Sequence, residues 1–518
     1  MVNTVWSLIP PILAIVMVLV TRRVLFSLGV GIVASAFFIA NFNIKHSLWH
    51  IWESFKLVFV EDGALNTWNV YLLLFVLLLG VLTAFVSMMG GTKAFGDWMI
   101  KRVKTRRGAQ LMTMCLGMII FIDDYFNSLT VGPISRPVTD QHRISRAKLA
   151  YIVDSTAAPV SVAAPISSWG AYIIGIIGSV LMAQNVTDMT AFAAFIKIIP
   201  MNFYVWTALG VVIVIALRQV DFGPMKTHEL RAINKGEVIN SKHKDVLSSE
   251  SNLPTSNIHK ISDLLLPIGI LFIATLFIIY WSGYRAVEGE KTLMNIFGEA
   301  DVSFALLCGG MIALIITFIL FYQHVRSHML TAKHFKTGIV VGIQSMLTAV
   351  IILIFAWTIA DLIEKLETGE FLAAFIETSQ LNLTFLPAIV FLMAGLIAFS
   401  TGTSWGSFAI LIPIAGQIAG TTDMTLLLPV LAAVLGGAVF GDHCSPISDT
   451  TILSATGASC DLMDHVTTQL PYALIAALIT SLSYLALGIF NSVWLGFIVI
   501  IASLIILYVI LGRLKKEN

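Results

Sequence analysis

The sequence predicts an all-α polytopic membrane protein built from two inverted repeats. Each repeat carries a re-entrant hairpin and a broken transmembrane helix, about 11 spans plus two hairpins in all. Three observations predict it. Hydrophobic residues make up 57% of the chain and charged residues 12%, with a mean hydropathy of +0.89, far from the soluble average. The apolar residues fall in long runs, where a membrane barrel would show short alternating strands. Lysine and arginine collect at particular ends of those runs, which orients them because basic loops stay in the cytoplasm.

The elements follow in order. Val5–Val20 ends at Arg22-Arg23, placed inside, so the N-terminus is expected outside. No positive region precedes Trp6, so a cleavable signal peptide is not expected. Val24–Ala40 leads out to a mixed segment, Asn41–Asn69, and Val70–Met89 returns to Lys101, Arg102, Lys104, Arg106 and Arg107. Ala109–Val131 lies between that basic stretch and another, Arg136 to Lys148. Both flanks stay inside only if the segment enters and returns on one side. Its polar middle, Phe121–Asn127, suits the tip of such a hairpin. Leu149–Ala183 is too long for one plain span and holds Pro159, Pro165 and Ser167-Ser168-Trp169-Gly170, so it reads as a helix broken at mid-depth. Tyr204–Leu217 comes back to Arg218.

Gln219–Ser262 is polar and mixed in charge and reads as a solvated cytoplasmic connector. Leu264–Trp281, Phe304–Tyr322 and Gly338–Ala360 then repeat the three-span opening in the opposite orientation. Leu383–Ala419, interrupted at Ser400–Ser407 and poor in positive charge at both ends, reads as a second hairpin entering from outside. Leu426–Ala458 is the second broken span. Tyr472–Phe490 and Val493–Leu511 close the chain at cytoplasmic Arg513, Lys515 and Lys516. The expected division is residues 1–218 for the first repeat, 219–262 for the linker, 263–490 for the second repeat and 491–518 for an extra C-terminal helix.

The halves echo each other locally. Asp123 to Pro133 matches Thr403 to Pro413 in spacing, as does Asp154 to Pro159 with Gly441 to Pro446. Ser167-Ser168-Trp169-Gly170 against Thr403-Ser404-Trp405-Gly406 is a further likeness that does not fit that alignment.

The chemistry concentrates in the four interrupted stretches. The first hairpin offers Asp123, Asp124 and Asn127, and the first broken span Asp154, Ser155, Thr156, Ser167 and Ser168. The second hairpin offers Thr401, Thr403 and Ser404, and the second broken span Asp442, His443, Ser445, Ser448, Asp449 and Thr450. An acidic residue at the bilayer centre costs about 2.5–3.5 kcal/mol, so such groups face a cavity and handle ions or protons. Nearly all of these groups are oxygen donors, which suits a hard cation such as Na⁺. Asp124, Asp154, Asp442 and Asp449 are the expected Na⁺ ligands. A carboxylate that holds either H⁺ or Na⁺, but not both, gives exchange by competition.

Plainer readings stand beside these. Asp123 or Asp124 could cap a helix, Asp154 could pair with Arg143, Arg146 or Lys148, and His443 could be a hydrogen-bonded structural histidine. The hydroxyls could satisfy freed backbone groups, and Trp169 and Trp405 could be packing aromatics.

Gly90-Gly91-Thr92-Lys93 lacks the spacing of a phosphate-binding loop, and no nucleophile–base pairing is evident, so neither an ATP-driven pump nor a membrane enzyme is expected. The net charge of +1 comes without a dense basic tract, which points away from nucleic acid. The cysteines (Cys115, Cys308, Cys444, Cys460) are scattered and lack disulfide or zinc spacing. No cofactor is expected beyond transported Na⁺ and H⁺.

At Gly441–Thr451 (GDHCSPISDTT), Thr468–Tyr472 (TQLPY) and Ser400–Gly406 (STGTSWG), the chain resembles the NhaC family of Na⁺/H⁺ antiporters, within the larger ion transporter superfamily. Phe121–Asn127, Arg136–Asp140 and Asp154–Pro159 look like one branch of NhaC-like proteins. The resemblance implies Na⁺/H⁺ exchange at a bacterial plasma membrane by a homodimer with a moving transport domain and a fixed scaffold. Similar proteins include malate/lactate exchangers and amino-acid carriers, so a Na⁺- or H⁺-coupled carrier of a small organic anion or amino acid is the alternative.

Overall fold

A computed structural model describes residues 1–517 apart from 22, 62, 122–123, 166, 188, 241–255, 257–259, 288, 328–329, 332, 369–370, 372–373 and 375–382. Asp123 therefore lies outside the described residues, as does the side chain of Ser168.

The chain is helical almost throughout. In order come α1 (Ile9–Thr21), α2 (Val24–Ile39), α3 (Ile44–Leu57), α4 (Thr67–Met89), α5 (Gly91–Ile100), α6 (Arg106–Ile119), α7 (Asp124–Gln141) and α8 (Arg146–Ala163). Then follow α9 (Ser168–Ala183), α10 (Ala191–Ile198), α11 (Phe203–Arg218), α12 (Gly223–Lys235), α13 (Ser262–Ala286), α14 (Leu293–Gly298), α15 (Val302–Arg326) and α16 (Lys333–Lys365). The last six are α17 (Leu386–Thr401), α18 (Ser404–Thr422), α19 (Leu427–Cys444), α20 (Asp449–Gly457), α21 (Leu462–Phe490) and α22 (Val493–Glu517). One two-stranded antiparallel ribbon pairs Val60 with Leu65 and Glu61 with Ala64. Among the described residues eight helices are long and apolar enough to cross a membrane. The remaining expected spans are the shorter α1 and α2 and the interrupted α8–α9.

Both hairpins form. Thr105 caps α6 by accepting from Gly108 N, and the basic ends of the first hairpin meet where His142 Nε2 lies 2.7 Å from Val103 O. Its arms, α6 and α7, run beyond Ala109–Val131 on both sides. In the second hairpin α17 stops at Gly402, whose φ of +74° is left-handed and suits glycine. A Cβ there would also meet Ile447 Cγ1 at 2.7 Å. Thr403 then caps α18 by accepting from Trp405 N.

Both broken spans form too. The first parts at Ala164–Ser167, where Ser167 accepts from Gly170 N to start α9. The second parts at Ser445–Ser448, where Ser448 accepts from Thr451 N to start α20. Pro159 sits inside α8 while Pro446 sits in the second break, so that spacing echo does not align the two breaks. The other likeness does have a structural counterpart, since Ser167 and Thr403 each cap a helix that begins Ser-Trp-Gly.

Packing links the halves crosswise. The exit arm of the first hairpin, α7, runs parallel to α20: Ser128 Oγ lies 3.0 Å from Ser454 Oγ, and Gly132 abuts Gly457. The exit arm of the second hairpin, α18, runs parallel to α9, with Trp405 and Trp169 ring centroids 5.5 Å apart and Gly416 against Val180. Close approach of α17 and α19 rests on small residues, a device membrane helices share. A Cβ on Gly441 would sit 2.1 Å from Gly395 O.

Helices α1–α4, α13, α15 and α16 pack together as one group, and α6–α11 with α17–α22 as another. The connector between halves is not simply solvated. Residues 223–235 form α12 against α8 and α21, with Glu229 buried. Glu229 accepts from Ser145 N at 2.7 Å and pairs with Arg106. Farther on, Ser256 N donates to Met88 O at 2.8 Å. The hydroxyl–imidazole–carboxylate row Ser256–His324–Asp263, with gaps of 3.0 and 3.1 Å, is a pairing the sequence did not reveal; it is buried and fastens the linker to α13 and α15.

Candidate functional site

The buried carboxylates gather where the two breaks and two hairpin tips meet. Asp154, from the middle of α8, is fully buried. Its Oδ2 accepts from Gln469 Nε2 at 2.5 Å and from Thr451 Oγ1 at 3.4 Å, and lies 3.2 Å from His465 Nε2. Its Oδ1 accepts from Ser454 Oγ at 3.1 Å. Among the described residues no arginine or lysine pairs with it: Arg146 is bidentate on Asp140, Lys148 pairs with Asp221 and Arg143 donates to Ile233 O.

His443 is hydrogen-bonded at both ring nitrogens. A carbonyl only accepts, so Nε2 donates to Asp154 O at 3.0 Å, and Nδ1, 3.2 Å away, accepts from Tyr204 OH. Gln469 Nε2 also donates to His443 O at 2.8 Å, tying α21 to the end of α19.

Asp442 and Asp449 flank the second break. Asp442 Oδ2 accepts from Ser404 Oγ at 2.8 Å, and Ser448 also bonds this carboxylate. Its Oδ1 is buried and has no hydrogen-bond partner among the described residues. Asp449, in the first turn of α20, accepts from Tyr125 OH at 2.5 Å, from Thr450 N at 2.8 Å and from the Trp357 indole. Both carboxylates are buried and sense each other's charge, so they repel unless a proton or cation lies between them. Thr451 Oγ1 lies 3.4 Å from both Asp154 Oδ2 and the backbone carbonyl of Asp442, so it links the Asp154 carboxylate to the backbone at the end of α19.

Asp124 begins α7, fully buried, and accepts from Trp169 Nε1 at 2.8 Å. It faces a different neighbour from its sequence neighbour Tyr125. Among the described residues no three His, Cys, Asp or Glu side chains are grouped as metal ligands. The four expected Na⁺ ligands are not gathered around one point: Asp442 and Asp449 interact across the second break, Asp154 meets Thr451, whose hydroxyl also faces the backbone carbonyl of Asp442, and Asp124 accepts from Trp169.

Other expected site residues bond backbone carbonyls or neighbouring side chains. Asn127 donates to Gly117 O, Ile120 O and Thr156 O at 2.7, 2.8 and 3.2 Å, clasping the first hairpin. Thr156 and Thr401 bond carbonyls of their own helices. Ser155 is buried on α8 and bonds Tyr151. Ser445 donates to Phe399 O at 2.9 Å and Ser448 pairs with Thr450.

Tyr125, Trp357, His465 and Gln469 were missed. His465 and Gln469 lie four residues apart on one helix face, and Gln469 stands in the TQLPY stretch, which was the available signal.

Beside Asp449 opens a cavity of about 400 Å³ between the two helix groups. Trp68 (α4) and Trp357 (α16) line it from one side, and Tyr125, Thr403, Trp405 and Asp449 from the other.

Broken helices whose ends meet buried carboxylates, beside a cavity between two helix groups, define the class as a multi-pass secondary transporter. Comparison with known proteins narrows it. The Na⁺/H⁺ antiporter family profile matches residues 160–489, and the chain belongs to that family. An uncharacterized Haemophilus influenzae protein is 41% identical over 99% of this chain and 96% of its own length. The Bacillus subtilis malate-2H⁺/Na⁺-lactate antiporter is 31% identical over 38% of this chain and 39% of its own. An uncharacterized Na⁺/H⁺ antiporter of Haemophilus influenzae is 32% identical over 19% of this chain and 20% of its own.

Proposed function

We propose that the protein exchanges Na⁺ for H⁺ across a bacterial plasma membrane by alternating access, with Asp442 and Asp449 as the competing cation and proton site. The observation that carries this is the carboxylate pair across the second break, one of whose buried oxygens, Asp442 Oδ1, has no protein donor among the described residues. Ser404 and Ser448 would complete the oxygen shell. Asp154, held by Gln469 and beside His465, sets the charge next to the site. The crosswise packing supports two inverted halves, residues 1–218 and 263–490. The basic ends support an N-terminus outside and a C-terminus inside. A homodimer is part of the same reading, carried by family resemblance.

The test uses proteoliposomes with an acidic lumen. External Na⁺ should raise lumenal pH, and the Asp442→Asn protein should not respond. Folded wild-type protein with no response from mildly acidic to alkaline pH would remove the proposal.

A second reading, coupled carriage of a small organic solute, is favoured by the cavity beside Asp449. Its volume of about 400 Å³ exceeds what one ion requires. Kinship with the malate/lactate antiporter makes an organic anion or an amino acid the first candidates. A thermal-shift screen of both classes, with and without Na⁺, discriminates; silence for every organic ligand favours Na⁺/H⁺ exchange alone.

A further inference from the structure

We propose that the cavity over Asp449 binds a small organic ammonium ion, held by the Asp449 carboxylate within an aromatic cage. This deepens the coupled-transport reading of the same site and rests on it.

Four aromatic side chains line the cavity around one acid: Trp68, Tyr125, Trp357 and Trp405 with Asp449. Ring faces carry negative potential, and cages of this composition recognise ammonium groups. The rings are held in place. Tyr125 OH and the Trp357 indole both donate to Asp449, so their hydrogen bonds fix them around the carboxylate. Trp405 packs against Trp68 and Tyr172 with centroids 6.4 and 4.9 Å away. It also meets Trp169, itself anchored on Asp124.

An anion finds little here. Among the described residues that line the cavity there is no lysine, arginine or histidine. The N-terminus of α18 could attract negative charge, but Thr403 already caps it, accepting from Trp405 N at 3.3 Å. At about 400 Å³ the space equals that of about ten or more waters, room for an organic cation and more than a dehydrated Na⁺ fills. The cavity is walled by both helix groups, so a cation bound in it touches both.

The experiment measures binding to the full chain in nanodiscs by calorimetry. Choline is compared with its neutral isostere 3,3-dimethyl-1-butanol, 2-phenylethylamine with 2-phenylethanol, and L-lactate serves as the anion. At least one cation should bind about tenfold or more tighter than its neutral partner and than lactate. Trp405→Ala should weaken that cation about tenfold, and Trp405→Phe by no more than about threefold, with unchanged melting confirming the fold. Equal binding of cation and isostere for both pairs, or tighter binding of lactate, would overturn the assignment. So would full affinity in folded Trp405→Ala. Lumenal alkalinisation by Na⁺ is read on proteoliposomes made from the same purified protein. Alkalinisation without cation preference overturns the ammonium site and leaves antiport standing. Cation preference without alkalinisation supports the cage and removes Na⁺/H⁺ exchange.

Discussion

Gln469 is the side chain whose loss tests the construction of the site most directly. Its amide nitrogen makes two buried bonds, 2.5 Å to Asp154 Oδ2 and 2.8 Å to His443 O. Gln469→Met keeps the length and unbranched shape of the side chain and removes both donors. A bond to a charged acceptor contributes about 1.5–3 kcal/mol, and a buried carbonyl left unpaired costs about 1–3 kcal/mol. The sum is about 2.5–6 kcal/mol. A domain of 150–250 residues loses about 2–4 °C of Tm per kcal/mol, and a chain twice as long roughly half that. Melting in detergent should therefore fall by about 3–12 °C. Na⁺-driven alkalinisation should weaken in the same variant, because Asp154 loses the donor that fixes Oδ2 beside Thr451. Gln469→Glu should be worse, since it sets a second carboxylate against Asp154 in a dry site. A Gln469→Met protein that melts within about 1 °C of the parent and transports normally would refute the assigned hydrogen bonds.

Asp442→Asn should abolish Na⁺-dependent exchange with expression intact. Asp140→Asn, which only breaks the part-exposed pair with Arg146, should cost about 1 kcal/mol or less and leave flux nearly unchanged; equal activity of the two variants would count against the site. Asn127→Leu removes the amide whose two N–H groups are shared by the three carbonyls of the first hairpin and α8, so about 2 kcal/mol or more of stability should go, read as early melting or loss of monodisperse protein. Gly441→Val forces a side chain into Gly395 O and should prevent α17 and α19 from packing, giving protein that inserts but does not purify as a folded species.

The sequence announced the helices, both hairpins and both breaks, because each depends on local signals: apolar runs, basic ends, and a capping Ser or Thr where a helix restarts. The capping turns at Ser167 and Thr403 were legible as an echo, although only the structure shows that the helices they begin lie side by side. The partners of the carboxylates were not legible. Tyr125 reaches Asp449 across 324 residues and Gln469 reaches Asp154 across 315, and no periodicity records such distances. Trp357 sits in an aliphatic run and reads as lipid-facing. The docking of α12 was hidden because a mixed-charge stretch looks the same whether its glutamate meets water or, like Glu229, a backbone amide and an arginine.

The crosswise packing has a consequence for how the protein is made. When the ribosome has finished the first half, α7 and α9 have no second-half helices to rest on. Ser128 waits for Ser454, and Trp169 for Trp405, more than 200 residues of synthesis later. Until then their small polar and glycine-bearing faces meet lipid or an insertion chaperone. Either half expressed alone should therefore be a substrate for membrane proteolysis, and co-expression of the two should rescue both.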